Sequence, residues 1–309
     1  METEAACHGA PLHPGMLMPS YCFSRNDPYD REAAVRFVLP PLIPSREYMA
    51  SIRAFRVPQD GLAVWYLGQN GFILKSGDGP LIGIDLYLTN SCARLFAHLP
   101  YRLDRQLPVF IEPEDLDIDI FYTTHSHEDH ADAETICRFA SHAKALFAGP
   151  WEAVEKYRSC GVPASSCLMI HPNQTIPLEG STQFTGTFAL PTDNTDLNHT
   201  GILIRFANGI TFYNTGDTGY CELLASLLPR NVDLCAICIN GGFHNLDAMQ
   251  AARIVKAIHP RVAIPSHYDM MINNTGDPNM LRAALDLVAS DAVFHVMDYY
   301  RPWVYRPAR

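Results

Sequence analysis

Six consecutive residues, His125-Ser126-His127-Glu128-Asp129-His130, place three imidazoles and an aspartate in the pattern H-x-H-x-D-H. Imidazole and carboxylate donors suit Zn²⁺, Mn²⁺ and Fe²⁺. In a loop, His125 and His127 can turn their rings to one point, and Asp129 and His130 to a second point close by. With 13 histidines in 309 residues, chance yields such a pattern on the order of once in a thousand chains. Glu128 reads as a solvent-facing spacer and Asp132 as the N-cap of a following helix.

A two-metal site needs further donors, and three later positions at strand ends offer them. His199 precedes the strand "TGILIRF". Asp217 follows the next strand in "YNTGDTGY", flanked by glycines that allow close backbone approach. His267 ends the strand "RVAIPS". Asp193, in "ALPTD", is a fallback for His199. Supporting or substrate-facing roles are open for Asp85 after "LIGI", Asn240 and His244 in "INGGFHN", and Tyr268 and Asp269 beside His267. His98, His142, His171, His259 and His295 sit in ordinary helix, strand or turn contexts and read as structural. His8 and His13 fall in a segment expected to be mobile.

These residues need strands to carry them. "LAVWYLG" and "GFILKSG" read as strands around a Gly-Gln-Asn-Gly turn, followed by "LIGIDLY". "DLDIDIFYTT" alternates into a fourth strand, and the histidine cluster leaves its end. Helices are expected at Arg46–Phe55, over "DAETICRFASHAKAL", and over "PWEAVEKYRSCG" between Pro150 and Gly161. "TGILIRFANGITFYNTGD" is a hairpin whose Asn208-Gly209 signals a type I′ turn. Helices at about 222–228, 248–258 and 280–289 alternate with "VDLCAICIN", "RVAIPSH" and a β-rich tail. Strands cluster first and alternate with helices later, which suggests an α+β fold of two sheets with helices outside. Residues 1–60 are rich in Pro and turn residues and read as an extension packed on a core domain, 61–309.

Composition narrows the class. The chain is 48% hydrophobic and carries a net charge of −10, without a Lys/Arg block, so a nucleic-acid surface is not expected. No apolar run is long enough for a membrane helix, and the first residues lack a signal-peptide pattern. Nine cysteines without a secretory signal suggest reduced thiols and a cytoplasmic protein. Cys235 and Cys238 form C-x-x-C, but in a strand they point to opposite faces, so they read as packing residues.

The order H-x-H-x-D-H, then His, then Gly-Asp, then a strand-terminal His resembles the metallo-β-lactamase superfamily. "VWYLGQNGFILKSG", "THSHEDHAD", "YNTGDTGY" and "AIPSHYD" look more narrowly like its L-ascorbate-6-phosphate lactonase (UlaG-like) branch. The resemblance implies a four-layer αββα sandwich with the site at one edge of the two sheets. It implies two divalent ions, Zn or Mn ahead of Fe. His125, His127 and His199 would hold one ion and Asp129, His130 and His267 the other, with Asp217 bridging. It also implies a hydrolase using a metal-bound hydroxide, in which Asp129 and Asp217 are catalytic, and a sugar-acid or phosphorylated lactone as substrate. Two ions bring about +4 and the two aspartates with hydroxide about −3, which suggests a small anionic substrate. A phosphodiesterase or phospholipase, a non-catalytic metal-binding homologue, and homo-oligomerisation remain open.

Overall fold

A computed structural model describes residues 39–307 except 78 and 142. His8, His13 and His142 lie outside the described residues, as does most of the expected extension. Two seven-stranded sheets form the centre. The first holds β1 (Leu62–Gly68), β2 (Gly71–Lys75), β3 (Ile82–Ile84), β4 (Ile120–Tyr122), β5 (Leu146–Gly149), β6 (Cys167–Met169) and β14 (Trp303–Tyr305). Its order is β14-β1-β2-β3-β4-β5-β6. The second holds β7 (Thr175–Pro177), β8 (Gln183–Phe188), β9 (Thr200–Arg205), β10 (Thr211–Asn214), β11 (Leu234–Cys238), β12 (Val262–Ser266) and β13 (Val293–Phe294), ordered β13-β12-β11-β10-β9-β8-β7. In each sheet antiparallel strands give way to parallel ones, at β3–β4 in the first and β10–β11 in the second. Parallel pairs need crossovers, and the helices supply most of them.

Period-two alternation explains the layering. Val64, Tyr66, Phe72, Leu74, Ile82 and Tyr122 face the second sheet, where Phe184, Ile202, Ile204 and Phe212 meet them. Phe72 and Phe212 cross that interface edge to face, with ring centroids 5.5 Å apart. The alternate residues Trp65, Leu67, Ile73, Phe121 and Phe147 face outward and are covered by helices. These are α1 (Ser45–Ala54), α3 (Ala133–Ala140) and α4 (Trp151–Ser159), with the short α2 (Ser91–Leu95) nearby. Outside the second sheet lie α5 (Leu224–Leu227), α6 (Ala248–Ile258) and α7 (Pro278–Leu287), whose Leu224, Ile254, Val255 and Leu281 join the same core. The result is the four-layer αββα sandwich. Burying each large apolar side chain contributes roughly 1.5–3 kcal/mol, so this double-sided packing carries most of the fold.

Several local expectations need correction. The β9–β10 loop is not type I′. Gly209 alone is left-handed there (φ 85°), its N–H donates to the Phe206 carbonyl at 2.8 Å, and Asn208 keeps a negative φ. This is a type I turn closed by a glycine bulge, which also reverses strands with the correct twist. The "DLDIDIFYTT" strand shrinks to β4, because Asp115 ends a 3₁₀ turn and Asp119 is drawn to the Arg53 guanidinium (2.6 and 2.7 Å). Asp132 does cap α3, accepting from the Glu134 and Thr135 amides. Cys235 and Cys238 are buried in β11, as expected of packing residues.

Candidate metal centre

The connectivity brings the donors to one edge. Parallel β3 and β4 end together, delivering Asp85 and the loop Thr123–His130. Antiparallel β9 and β10 put the start of one beside the end of the other, so His199 and Asp217 meet. β12 runs parallel to β11 and delivers His267 to the same edge. The Thr200 amide and hydroxyl both donate to the Thr124 carbonyl at 3.0 Å, tying the two sheets together there. Gly216 is needed at this seam, since a Cβ would lie 2.8 Å from Thr124 Cβ and its φ is +60°.

Three groups of donor atoms lie within 4.8 Å of one another: His125, His127 and His199; His125, His130 and Asp217; and Asp129, His130 and His267. All seven candidate ligands from the sequence are therefore in one cluster, and His199 takes its place beside His125 and His127. Asp193 does not replace it. Its Oδ1 lies 3.4 Å from His127 Nε2, on the ring nitrogen that faces away from His125.

The outer hydrogen bonds assign the protons. His130 Nδ1 lies 2.8 Å from Asp85 Oδ2, so it carries a proton, and Nε2 is the nitrogen turned toward Asp129, Asp217 and His267. Thr124 donates its hydroxyl to Asp85 (2.7 Å) and accepts from His125 Nδ1 at 3.1 Å, leaving His125 Nε2 bare. His127 Nε2 meets Thr195 Oγ1 at 3.0 Å, leaving Nδ1 bare. His199 Nδ1 meets the Asp217 carbonyl at 3.2 Å, and its buried Nε2 has no partner. Bare nitrogens consequently face one another: His125 Nε2 and His127 Nδ1 are 3.0 Å apart. Asp217 Oδ1 is also buried without a partner. Ring nitrogens and carboxylates packed this closely, with the Gln69 and Asn245 amides donating to only one oxygen of each aspartate, are a costly arrangement unless a cation sits among them. This donor set fits divalent metal ions.

Electrostatics divides the cluster. Burial, then the neighbouring His199 ring, lowers the pKa of His125, and burial with His127 lowers that of His199. Both rings are therefore held neutral at neutral pH. Burial also opposes charge on His130 and His267, but Asp217 and Asp129 outweigh it, raising His130 well above its usual value and His267 to about 9. The same contacts hold Asp217 well below the usual carboxylate range, although its burial acts the other way.

The supporting residues differ in part from expectation. Asp85 is fully buried and also accepts the Thr124 amide (2.7 Å) and Asn70 Nδ2 (2.7 Å). Asp269 is buried and accepts the Gln69 amide at 2.8 Å and the Tyr299 hydroxyl. Gln69, unremarked in the sequence, is central. Its Nε2 donates to Asp129 Oδ2 (2.5 Å), and its carbonyl accepts the His267 amide (2.5 Å). Asn245 was also missed, and its Nδ2 donates to Asp217 Oδ2 at 2.6 Å. Asn240 and His244 do not face the centre. Asn240 bonds to Asn274 (2.8 Å), and His244 Nδ1 meets the Thr192 carbonyl (2.6 Å). Tyr268 points into the core, stacked on Tyr66. Glu128 is no solvent spacer, since it pairs with Lys156 Nζ at 2.7 Å. Gln69, Asp85 and His267 all hold positive φ (58°, 45° and 56°), strain of the kind that the surrounding hydrogen bonds sustain at functional sites.

A cavity of about 600 Å³ opens over Asp129, Asp217, His127 and His267. Phe96, Tyr101, Leu103, Phe243 and Met271 form one wall, and α4 with the Thr192–Thr195 loop forms the other. A larger cavity of about 850 Å³, beside α1 at Arg53 and Asp119, holds none of the candidate ligands.

A family model described as a β-lactamase superfamily domain matches residues 63–267. The chain belongs to the metallo-β-lactamase superfamily. It is 25% identical to a metal-dependent hydrolase of Herpetosiphon aurantiacus, over 78% of this chain and 97% of that one. It is 23% identical to an Escherichia coli protein named a probable L-ascorbate-6-phosphate lactonase, over 73% of this chain and 74% of the other. Among solved structures it is similar in fold to a metallo hydrolase from the archaeon Ignicoccus hospitalis (TM-score 0.60, 22% identity, covering 80% and 100%). The chain thus sits among the superfamily's metal-dependent hydrolases. No described helix is long and apolar enough to cross a membrane.

Proposed function

We propose that this chain is a two-metal hydrolase of a carboxylic ester, most closely a lactonase. The observation that carries the reading is the set of inward ring nitrogens, on His125, His127, His130 and His199, each ring held by a contact at its opposite nitrogen. His125, His127 and His199 would hold one ion, Asp129, His130 and His267 the second, and Asp217 would bridge. The donor types suit Zn or Mn, with Fe tolerated. Such ions supply Lewis acidity and water that ionises near neutral pH.

The chain's own residues do the rest. Gln69 and His267 fix the Asp129 carboxylate toward the cavity, where it would orient the attacking water. Asn245 holds the Asp217 carboxylate where it would serve the ions. The apolar wall keeps bulk water from the ester carbonyl. The lactone preference draws on the Escherichia coli relative, and the seven described cysteines, all free, suit a reducing cytoplasm.

Metal analysis of purified protein tests the ligand set. Wild type should carry two ions per chain and His125→Ala markedly fewer. Equal metal content in both would refute the assignment.

A further inference from the structure

The cavity above the centre carries its own statement about substrate, and the inference rests on the hydrolase reading just given. Six carboxylates line it: Glu128, Asp129, Glu152, Glu155, Asp193 and Asp217. Lys156 is the one lysine or arginine among the lining residues, and its amine is committed to the Ser126 carbonyl at 2.6 Å and to Glu128 at 2.7 Å. Two divalent ions would bring about +4. With Lys156, and even with Arg158 paired to Glu155 at 2.9 Å, positive charge does no more than match the carboxylates. Nothing is left over to hold a phosphate, which proteins grip with arginine forks, lysines or clustered amides. The net charge expected from the ligands alone therefore points the wrong way once the wall is counted.

The opposite wall says what replaces the anion. Phe96, Tyr101, Leu103, Phe243 and Met271 present apolar surface, and Tyr101 closes edge to face on Phe243 at 5.4 Å. Two antiparallel segments hold this wall. The Gln106 amide donates to the Met270 carbonyl (2.8 Å), and the Ile272 amide to the Asp104 carbonyl (3.1 Å). Between the walls, Asn245 is 5% exposed and spends its Nδ2 on Asp217, while its Oδ1 is buried without a partner.

We propose that the substrate is a hydrophobic ester or lactone that bears no anionic group, with its apolar arm against Tyr101, Phe243 and Met271. A phosphorylated sugar lactone would face the carboxylate wall with no cation to receive it.

Three hydroxamates with the same metal-binding head and hexyl spacer test this, ending in methyl, trimethylammonium or phosphate. Calorimetry on the full-length, zinc-loaded chain should find the methyl form bound at least about tenfold tighter than the phosphate form. The trimethylammonium form should also bind tighter than phosphate. Phe243→Ala should weaken the methyl form selectively. Glu152→Gln with Glu155→Gln should strengthen the phosphate form and leave the methyl form unchanged. Equal or tighter binding of the phosphate form by wild type would overturn the inference, and ester hydrolysis by the same sample would show that the hydrolase reading survives. If none of the three binds and no ester is cleaved, both fall together.

Discussion

Asp85 Oδ2 accepts the Nδ1 proton of His130 at 2.8 Å, both side chains fully buried, and the same carboxylate takes the Thr124 hydroxyl that backs His125. One strand-end aspartate thus orients two rings, one for each proposed metal position. Residues behind ligands tune affinity by about 10–100-fold. Asp85→Asn should weaken metal binding in that range while the protein stays folded, as read by competition with a chelating dye. Unchanged affinity would remove Asp85 from the site.

In the proposed ligand set, His199 would decide whether two ions bind. Its buried Nε2 has no partner, whereas Asp193 sits behind His127. His199→Ala should lower the metal content from about two ions to about one, and Asp193→Ala should leave two. Elemental analysis of the two variants distinguishes them, and the opposite ranking would make Asp193 the ligand.

Gln69 joins Asp129 to His267 through its side chain and its carbonyl. Gln69→Ala should lower kcat for ester hydrolysis by about 10–100-fold with a smaller change in KM, because it misplaces Asp129 more than it alters the cavity. Steady-state kinetics at fixed metal loading reads this. A pure KM effect would count against a positioning role.

Metal removal should destabilise the fold. The apposed lone pairs and carboxylates lose their cation, so chelation should lower Tm by several degrees and added Zn²⁺ should restore it in a concentration-dependent way. A Tm indifferent to both would indicate that no ion links the two sheets.

Away from the centre, burial pushes the Asp119 carboxyl up, but the Arg53 guanidinium and the Leu81 amide outweigh it and hold it below its usual range. A depressed folded pKa contributes stability above the unfolded value, near 4, that is lost as pH falls through the folded one. The pair is about two-fifths exposed on each side (40% and 39%), so solvent screens it. Asp119→Asn should therefore cost about 1 kcal/mol at pH 7 in urea unfolding of metal-free protein, with the difference closing toward pH 3.

The convergence of the seven candidate donors was readable in the sequence because each follows or precedes a strand with a strong pattern. His199 illustrates this, placed by its position ahead of β9. Asp269 and Asp85 were sensed from adjacency alone. Gln69 and Asn245 were not, because an amide shows its role only when the fold sets its partner across 60 or 28 residues. The one available hint was the Gly-Gln-Asn-Gly turn, whose Gln69 holds a left-handed φ. Asn240 and His244 lie behind the cavity lining, on Asn274 and Thr192, while a loop with positive φ at Phe243 and His244 brings Asn245 to Asp217. The acidic side of the cavity was not legible, because its carboxylates come from α4 and the 192–195 loop, which no local motif links to the centre.

The central claim is that bound metal hydrolyses an uncharged ester in this cavity. The most direct test follows base uptake at constant pH while the metal-loaded chain acts on an alkyl-substituted lactone, before and after chelation. The account predicts hydrolysis that vanishes on chelation and returns with added metal. Hydrolysis indifferent to chelation, or none with the lactone alongside cleavage of bis(p-nitrophenyl) phosphate, would contradict it.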